Sequence, residues 1–381
     1  MDRFENISVR GFRRLWQVNL EMRDLIVMIG ANGAGKTSFL DVLSTLAASA
    51  NGKLQETLQL KGGLNEILTR GKAQELEISL SMKVPEEKPL KYGLTLSPKG
   101  LSYEIRNETL TQQRNPIKPE PFKYIESHSL DITYFQEGSG LLRPNWEHNY
   151  LETSLSQVPK MYREPENLRK SLASCTYYGA LDVSQKSPIR LPQQMRPAKL
   201  PGASGEDLVS CLYDLRESDR DRFEMVENVI STAFPDFERL NFPPVAAGTI
   251  SMTWTDRNFS QPIYVHELSE GTLRFLWLVT LLQSQSLTTI TLLDEPEVSL
   301  HPELLRHLAY LMREASKHTQ LIVATHSDRL IRFVKPNEVL ICDLEEGEAK
   351  MTWADTLDLD KWLADYTLDQ LWGMNLMGGR P

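Results

Sequence analysis

Cysteine is scarce. Three in 381 residues, Cys175, Cys211 and Cys342, lie far apart with no C-x-x-C pair, which suggests neither a disulfide framework nor a zinc site and points to a reducing compartment. Long apolar runs are missing too: none reaches the ~18 residues that cross a bilayer. The opening Met1-Asp2-Arg3-Phe4-Glu5-Asn6 lacks the layout of a signal peptide, so the expectation is a cytoplasmic protein without a membrane partner. Nor is positive charge in excess. The chain holds 42 Lys and Arg against 51 Asp and Glu, a net −9, so any nucleic-acid contact must be local. Basic clusters at Arg10, Arg13 and Arg14, at Lys160, Arg163, Arg169 and Lys170, and at Lys186, Arg190, Arg196 and Lys199 read as solvated faces, because acidic residues sit among several of them.

What is present begins with a core: 41% hydrophobic residues suffice for one large or two smaller domains. The apolar run Leu25-Ile26-Val27-Met28-Ile29 leads into Gly30-Ala31-Asn32-Gly33-Ala34-Gly35-Lys36-Thr37-Ser38 and then Phe39-Leu40-Asp41-Val42-Leu43. Strand, glycine-rich loop and helix in that order fit the phosphate-binding pattern G-x-x-x-x-G-K-[ST]. Its backbone N–H groups surround a triphosphate, its lysine neutralises it, and its hydroxyl meets Mg²⁺. At average composition a chain of this length shows the four fixed residues by chance about once in a hundred. The competing reading is a glycine loop that binds nothing.

Around that stretch, residues 7–15 and 20–22 look like a short hairpin, and the helix after the loop runs to about Ala50. A glycine pair, Gly62-Gly63, precedes residues 64–68. Residues 76–80, 92–96 and 101–105 then alternate with period two between turn residues, as in an antiparallel sheet with one wet face. Asp131-Ile132-Thr133-Tyr134-Phe135-Gln136 reads as a strand returning to the core, followed by the flexible Glu137-Gly138-Ser139-Gly140. From about Asn145 to Ala180 the chain is polar and helix-compatible. Four prolines from Pro188 to Pro201 mark a loop, and helical spacing resumes at residues 206–215 and 220–234. The resulting expectation is an α/β fold with a mixed central sheet. Residues 1–140 would form its first part with an antiparallel β subdomain, residues 141–240 an inserted helical lobe, and residues 241–381 the second part of the core.

That second part opens with strand-like residues 249–254 and 263–265. Ser269 is a natural N-cap for the helix at residues 273–282, and its hydroxyl with the N–H groups of Glu270 and Gly271 would form an anion site. Capping alone is the plainer reading. Residues 288–295 form a buried strand ending in Asp294-Glu295, a helix runs from Pro302 to about Lys317, and the strand at residues 320–325 ends in His326-Ser327. Strand, crossover helix and strand make a parallel unit, whose ligands bind beyond the carboxyl ends. The phosphate loop, Asp294-Glu295 and His326 all sit at such ends. Asp294 would hold the water shell of a Mg²⁺ shared with the Thr37 hydroxyl. Glu295 would orient or deprotonate the attacking water. His326 would donate to the terminal phosphate, although a lone histidine at a strand end is more often structural. Gln136, a strand-end residue before glycines, is a candidate Mg²⁺ and water contact.

This set resembles the ABC-type ATPases of the SMC/RecF/OLD-like branch, often labelled AAA-family ATPases. Residues 30–38 look like Walker A, Gln136 like the Q-loop and Leu268-Ser269-Glu270-Gly271-Thr272 like the signature. Leu292-Leu293-Asp294-Glu295-Pro296 looks like Walker B, and Ala324-Thr325-His326-Ser327 like the switch histidine. The resemblance implies a P-loop NTPase of the ABC head type, with ATP and Mg²⁺ as ligands. It further implies a homodimer in which each signature serine closes on the other copy's γ-phosphate. Glu270 stands where ABC transporters have glycine, and Glu297-Val298-Ser299-Leu300-His301-Pro302 lacks the transporter D-loop aspartate; both variants are similar to the DNA- and defence-associated branch. There is no room for a long coiled coil between Gln136 and Ser269, nor for a nuclease domain after Val334. The expectation is therefore an ATPase engine that engages DNA or controls a separately encoded, nuclease-like effector, in anti-phage defence or DNA repair. The alternatives are the nucleotide-binding subunit of an ABC transporter and a metal-dependent nuclease using Asp355, Asp358 and Asp360. Those aspartates otherwise look like a helix start.

Overall fold

The computed structural model describes residues 3–114, 120–136 and 140–379. Strands β1 (Arg3–Phe12) and β2 (Leu15–Glu21) form the expected hairpin, turning at Arg13, whose φ is 48°. β2 begins at Leu15, earlier than the sequence reading put the second strand. Strand β3 (Leu25–Gly30) is buried at all six positions and feeds α1 (Lys36–Ala50), which ends where expected. Two short helices, α2 (Leu54–Leu60) and α3 (Leu64–Ile67), lead to the antiparallel meander: β4 (Leu76–Lys83), β5 (Leu90–Lys99), β6 (Ser102–Gln112), β7 (Phe122–His128), β8 (Asp131–Gln136) and β9 (Gly140–Leu142). These pair with the hairpin in one eight-stranded sheet, in the order β2-β1-β4-β5-β6-β7-β8-β9. In β4, Leu76, Ile78, Leu80 and Met82 are buried while the residues between them are not, the alternation of a sheet covered on one face.

Two expectations change here. β8 does not return to the core; it pairs with β7 and β9 near the far edge of the antiparallel sheet, because its residues continue the meander register. Gln136 therefore ends a strand of that sheet, while its side chain and residues 137–139 lie outside the described residues. The polar stretch before Ala180 also holds more than helix. After α4 (Ser154–Gln157) and α5 (Arg163–Ala173) comes β10 (Thr176–Tyr178), which joins the central sheet.

Beyond β10 the chain makes β11 (Gln193–Gln194), α6 (Leu208–Ser218), α7 (Arg220–Ala233), β12 (Phe237–Asn241), β13 (Pro244–Ala246), β14 (Thr249–Ile250), β15 (Thr253–Asp256) and β16 (Ile263–Tyr264). The single strand expected at residues 249–254 is split between two small three-stranded sheets, β11-β14-β13 and β12-β15-β16. Then follow α8 (Glu270–Leu282), β17 (Ile290–Asp294), α9 (Leu304–Ala315), β18 (Gln320–Ala324), α10 (Asp328–Ile331), β19 (Val339–Glu345), β20 (Glu348–Trp353), α11 (Asp360–Leu363) and α12 (Leu368–Gly373).

The central sheet runs β10-β17-β18-β3-β19-β20, parallel except for the last pair, and so is mixed. Side chains alternate across β3: Leu25, Val27 and Ile29 enter a core shared with α6 to α9 and α12, whereas Ile26 and Met28 enter one shared with α1 and the antiparallel sheet. Burial on both faces explains the unbroken apolar run. Among the described residues no helix is long and apolar enough to cross a membrane.

Candidate functional site

Three parallel strands bring the chemistry to one edge. Met28 of β3 is in register with Ala324 of β18, and Ala324 with Asp294 of β17, so their carboxyl ends lie side by side at the ~4.8 Å spacing of a sheet. The loop after β3 turns through Gly30, Gly33 and Gly35, with φ of 153°, 78° and 101°. A Cβ on Gly30 would collide with the carbonyl oxygen of Cys342 on β19, so glycine is needed there for close packing. Asn32 and Gly33 are exposed and Ala34 is buried. Gly35 precedes α1, whose first N–H groups are free to meet an anion.

Lys36 is 4% exposed, and its Nζ donates to the carbonyls of Gly30 at 2.6 Å and Ala31 at 3.1 Å. Among the described residues no carboxylate comes within ion-pair distance of it. Burial lowers its pKa, opposed by the fields of Cys342, Glu295, Asp294 and Glu297. A buried ammonium with only carbonyls for company is a cation prepared for an anion. The neighbouring Thr37 is exposed and its hydroxyl makes no hydrogen bond among the described residues; Ser38 is half-buried.

Asp294 closes β17, half-buried, and burial raises its pKa. Its Oδ2 accepts from the Tyr177 hydroxyl at 2.9 Å, and no described residue donates to its Oδ1. Glu295 has a φ of 51°, left-handed for a residue with a Cβ, and its N–H is tied to the Ala324 carbonyl at 2.8 Å. Strain of this kind collects at functional sites. The His326 Nε2 stands 3.7 Å from Glu295 Oε1. Burial, and secondarily the Lys36 charge, lower the imidazole's pKa, so at neutral pH the ring is uncharged. The free Thr37 hydroxyl and the Asp294 carboxylate are the hard oxygen donors that Mg²⁺ takes, so this chain fits that ion.

Glu297 was missed by the sequence reading. Its Oε1 accepts from the Thr325 hydroxyl at 2.5 Å and the His326 N–H at 3.2 Å, tying the loop after β17 to the histidine. Nothing but its place two residues beyond Glu295 could have signalled it. Arg14, read as part of a solvated face, is exposed, forms no ion pair among the described residues, and holds its guanidinium Cζ 3.7 Å from where a Gly33 Cβ would stand.

Ser269 caps α8 as expected, its Oγ accepting from the Thr272 N–H at 3.1 Å. Gly271 packs α8 against the loop after β17, since a Cβ there would lie 2.7 Å from the Ser299 carbonyl oxygen. Among the described residues no hydrogen bond joins Ser269 or Gly271 to the phosphate loop. Arg190, expected on a solvated face, is 7% exposed and donates to the carbonyls of Val183, His266 and Leu268 at 2.7, 2.9 and 2.8 Å. It fixes the segment that ends in Ser269; along the chain a charge cluster is visible, but no sign of those carbonyls. Among the described residues no group of three or more His, Cys, Asp or Glu side chains could hold a metal ion, and of the Asp355, Asp358 and Asp360 trio the Asp360 side chain lies outside the described residues.

No curated protein matches the chain at a significant level. Among the solved structures similar along nearly their whole length are two Smc heads. One is an SmcHead bound to the C-winged helix domain of ScpA, with 12% identity, a TM-score of 0.59, and coverage of 92% of this chain and 97% of that one. The other is an Smc head domain with an extended coiled coil bound to the C-terminal domain of ScpA, derived from Pyrococcus furiosus; it has 11% identity, a TM-score of 0.56, and coverage of 96% and 98%. At such identities the likeness is one of fold, that of a P-loop NTPase head. The family described as "AAA domain, putative AbiEii toxin, Type IV TA system" matches residues 25–332, from β3 through α10. The chain belongs to that family.

Proposed function

We propose that the protein is an ATP-binding and hydrolysing switch. Two copies close head-to-head on Mg-ATP, and the closed state engages DNA or controls a separately encoded effector, in anti-phage defence or DNA repair. The observation that carries this reading is the gathering of Lys36, Asp294, Glu295 and His326 at one sheet edge, while Ser269 caps a helix with no bond to that edge. Lys36 neutralises the phosphates from beneath. Thr37 and Asp294 hold Mg²⁺, with Gln136 as a further contact. Held there, the ion would supply positive charge that offsets the phosphates' negative charge. Glu295 orients or deprotonates the water. Neutral His326 donates to the γ-phosphate and senses its loss. Ser269 and Gly271 complete the site of the second copy.

Glu295→Gln tests this. Hydrolysis is expected to fall by about 10²–10⁴-fold, and light scattering with Mg-ATP should show a stable dimer. A variant that stays monomeric sinks the dimer switch; an unchanged rate removes Glu295 from catalysis. Capture of the tagged protein with ATP, read by mass spectrometry and nucleic-acid staining, tests the output. Recovery of a membrane permease alone would replace the switch with a transporter subunit.

A further inference from the structure

We infer that Tyr177 is the positioning residue of Asp294: its phenol holds one carboxylate oxygen so that the other faces the Mg²⁺ of the proposed site. The inference rests on the reading of Asp294 given above. β10 lies at the edge of the central sheet beside β17, in parallel register, with Tyr177 opposite Leu292 and Tyr178 opposite Leu293. Alternation sends the two tyrosines to opposite faces. Tyr178 is 3% exposed and packs edge-on against Trp277 at 5.6 Å, a core residue. Tyr177 is 40% exposed and belongs to neither apolar core. It shares a face with Leu292, hence with Asp294 two residues on, and leans along the sheet until its hydroxyl meets Oδ2 at 2.9 Å. Gly179 leaves room for this: even a Cβ there would stand 3.3 Å from the ring.

Packing does not require that hydroxyl, since a ring so exposed could satisfy it in water. Its direction is fixed chemically, because an ionised carboxylate only accepts and the phenol must donate. One donor on Oδ2 restricts rotation of the carboxylate and leaves Oδ1, which no described residue occupies, as the oxygen for metal or metal-bound water. The donor also offsets the repulsion between the adjacent charges of Asp294 and Glu295. Groups bonded in this way to metal ligands are worth about 10–100-fold in metal affinity when removed.

The test is equilibrium binding of a fluorescent ATP analogue, in Mg²⁺ and in EDTA, to the wild-type chain, Tyr177→Phe and Asp294→Asn. Tyr177→Phe keeps the ring and loses only the donor. Expected is the same affinity for the wild type and Tyr177→Phe in EDTA, and about a tenfold loss of the Mg²⁺-dependent tightening in Tyr177→Phe. Asp294→Asn should lose more. If Mg²⁺ does not tighten binding to the wild type, the reading of Asp294 fails. If it does and Tyr177→Phe matches the wild type, the inference about Tyr177 is overturned. Equal weakening of Tyr177→Phe in Mg²⁺ and EDTA overturns it too, because the hydroxyl would then act on the nucleotide and not through Asp294.

Discussion

Each of the two large sheets holds a carboxylate whose pKa burial raises, and the two are handled in opposite ways. In the antiparallel sheet, Glu108 of β6 is 0% exposed and held by three donors: Oε1 accepts from Tyr92 Oη and the Leu155 N–H, both at 2.9 Å, and Oε2 from the Ser154 N–H at 2.6 Å. In the central sheet, Asp294 has one donor and a free oxygen at a wet edge. A buried carboxylate with donors on both oxygens ties pieces of chain together, here the meander and α4. One left partly unengaged beside a buried ammonium keeps a coordination position in reserve. Burial alone does not tell a structural acid from a functional one; the count of donors does.

The comparison breaks if the roles prove exchangeable. The largest effect is expected from Glu108→Ala, which strands three donors and opens a cavity. Denaturant unfolding should show a loss of about 4 kcal/mol, while the nucleotide affinity of the folded fraction stays at the wild-type value. Weakened nucleotide binding in that fraction would make Glu108 part of the site. Next comes Lys36→Met, which replaces a buried cation with an apolar chain of similar length. ATP affinity should fall about 100-fold, as for a lost charged hydrogen-bonding partner. The midpoint of thermal unfolding without nucleotide should hold or rise, because the desolvated ammonium is no longer buried. A fall in that midpoint would mean that Lys36 works as a structural residue.

How much of this was legible in the sequence follows from where the signals lay. The phosphate loop, β17 with Asp294-Glu295, β18 with His326 and the Ser269 cap were readable because each joins a strong local pattern to a fixed residue type. A doubly buried strand leaves a continuous apolar run, and a cap is a single serine before a helix. β10 was missed because an edge strand of three residues is too short to show a period, although Thr176-Tyr177-Tyr178 are all strand formers and Gly179 follows them. The error at β8 has the opposite cause: its alternation was visible, but which sheet a strand joins is set by pairing partners remote in sequence. Arg190 looked like one member of a basic cluster because its three carbonyl acceptors come from segments up to 78 residues away.

A third carboxylate sharpens the comparison with the smallest effect. Glu166 of α5 is 3% exposed, yet it sits beside a cation: Arg169 Nε donates to its Oε2 at 2.6 Å and Nη2 to its Oε1 at 2.8 Å. That bidentate bond, against the opposing pull of burial, lowers its pKa below the ordinary value of about 4.3. A carboxylate favoured by folding contributes stability that is complete above its unfolded pKa and is lost as pH falls through the folded one. Glu108, raised by burial, has the reverse sign: its ionisation costs stability as pH rises, and acid relieves the cost. Urea unfolding of the wild type and Glu166→Gln from pH 7 down to pH 3 should therefore show a gap of about 1 kcal/mol at neutral pH that closes below about pH 4. A gap that does not depend on pH would mean that the pair contributes packing and not charge, and pairing with a cation would no longer set Glu166 apart from Glu108.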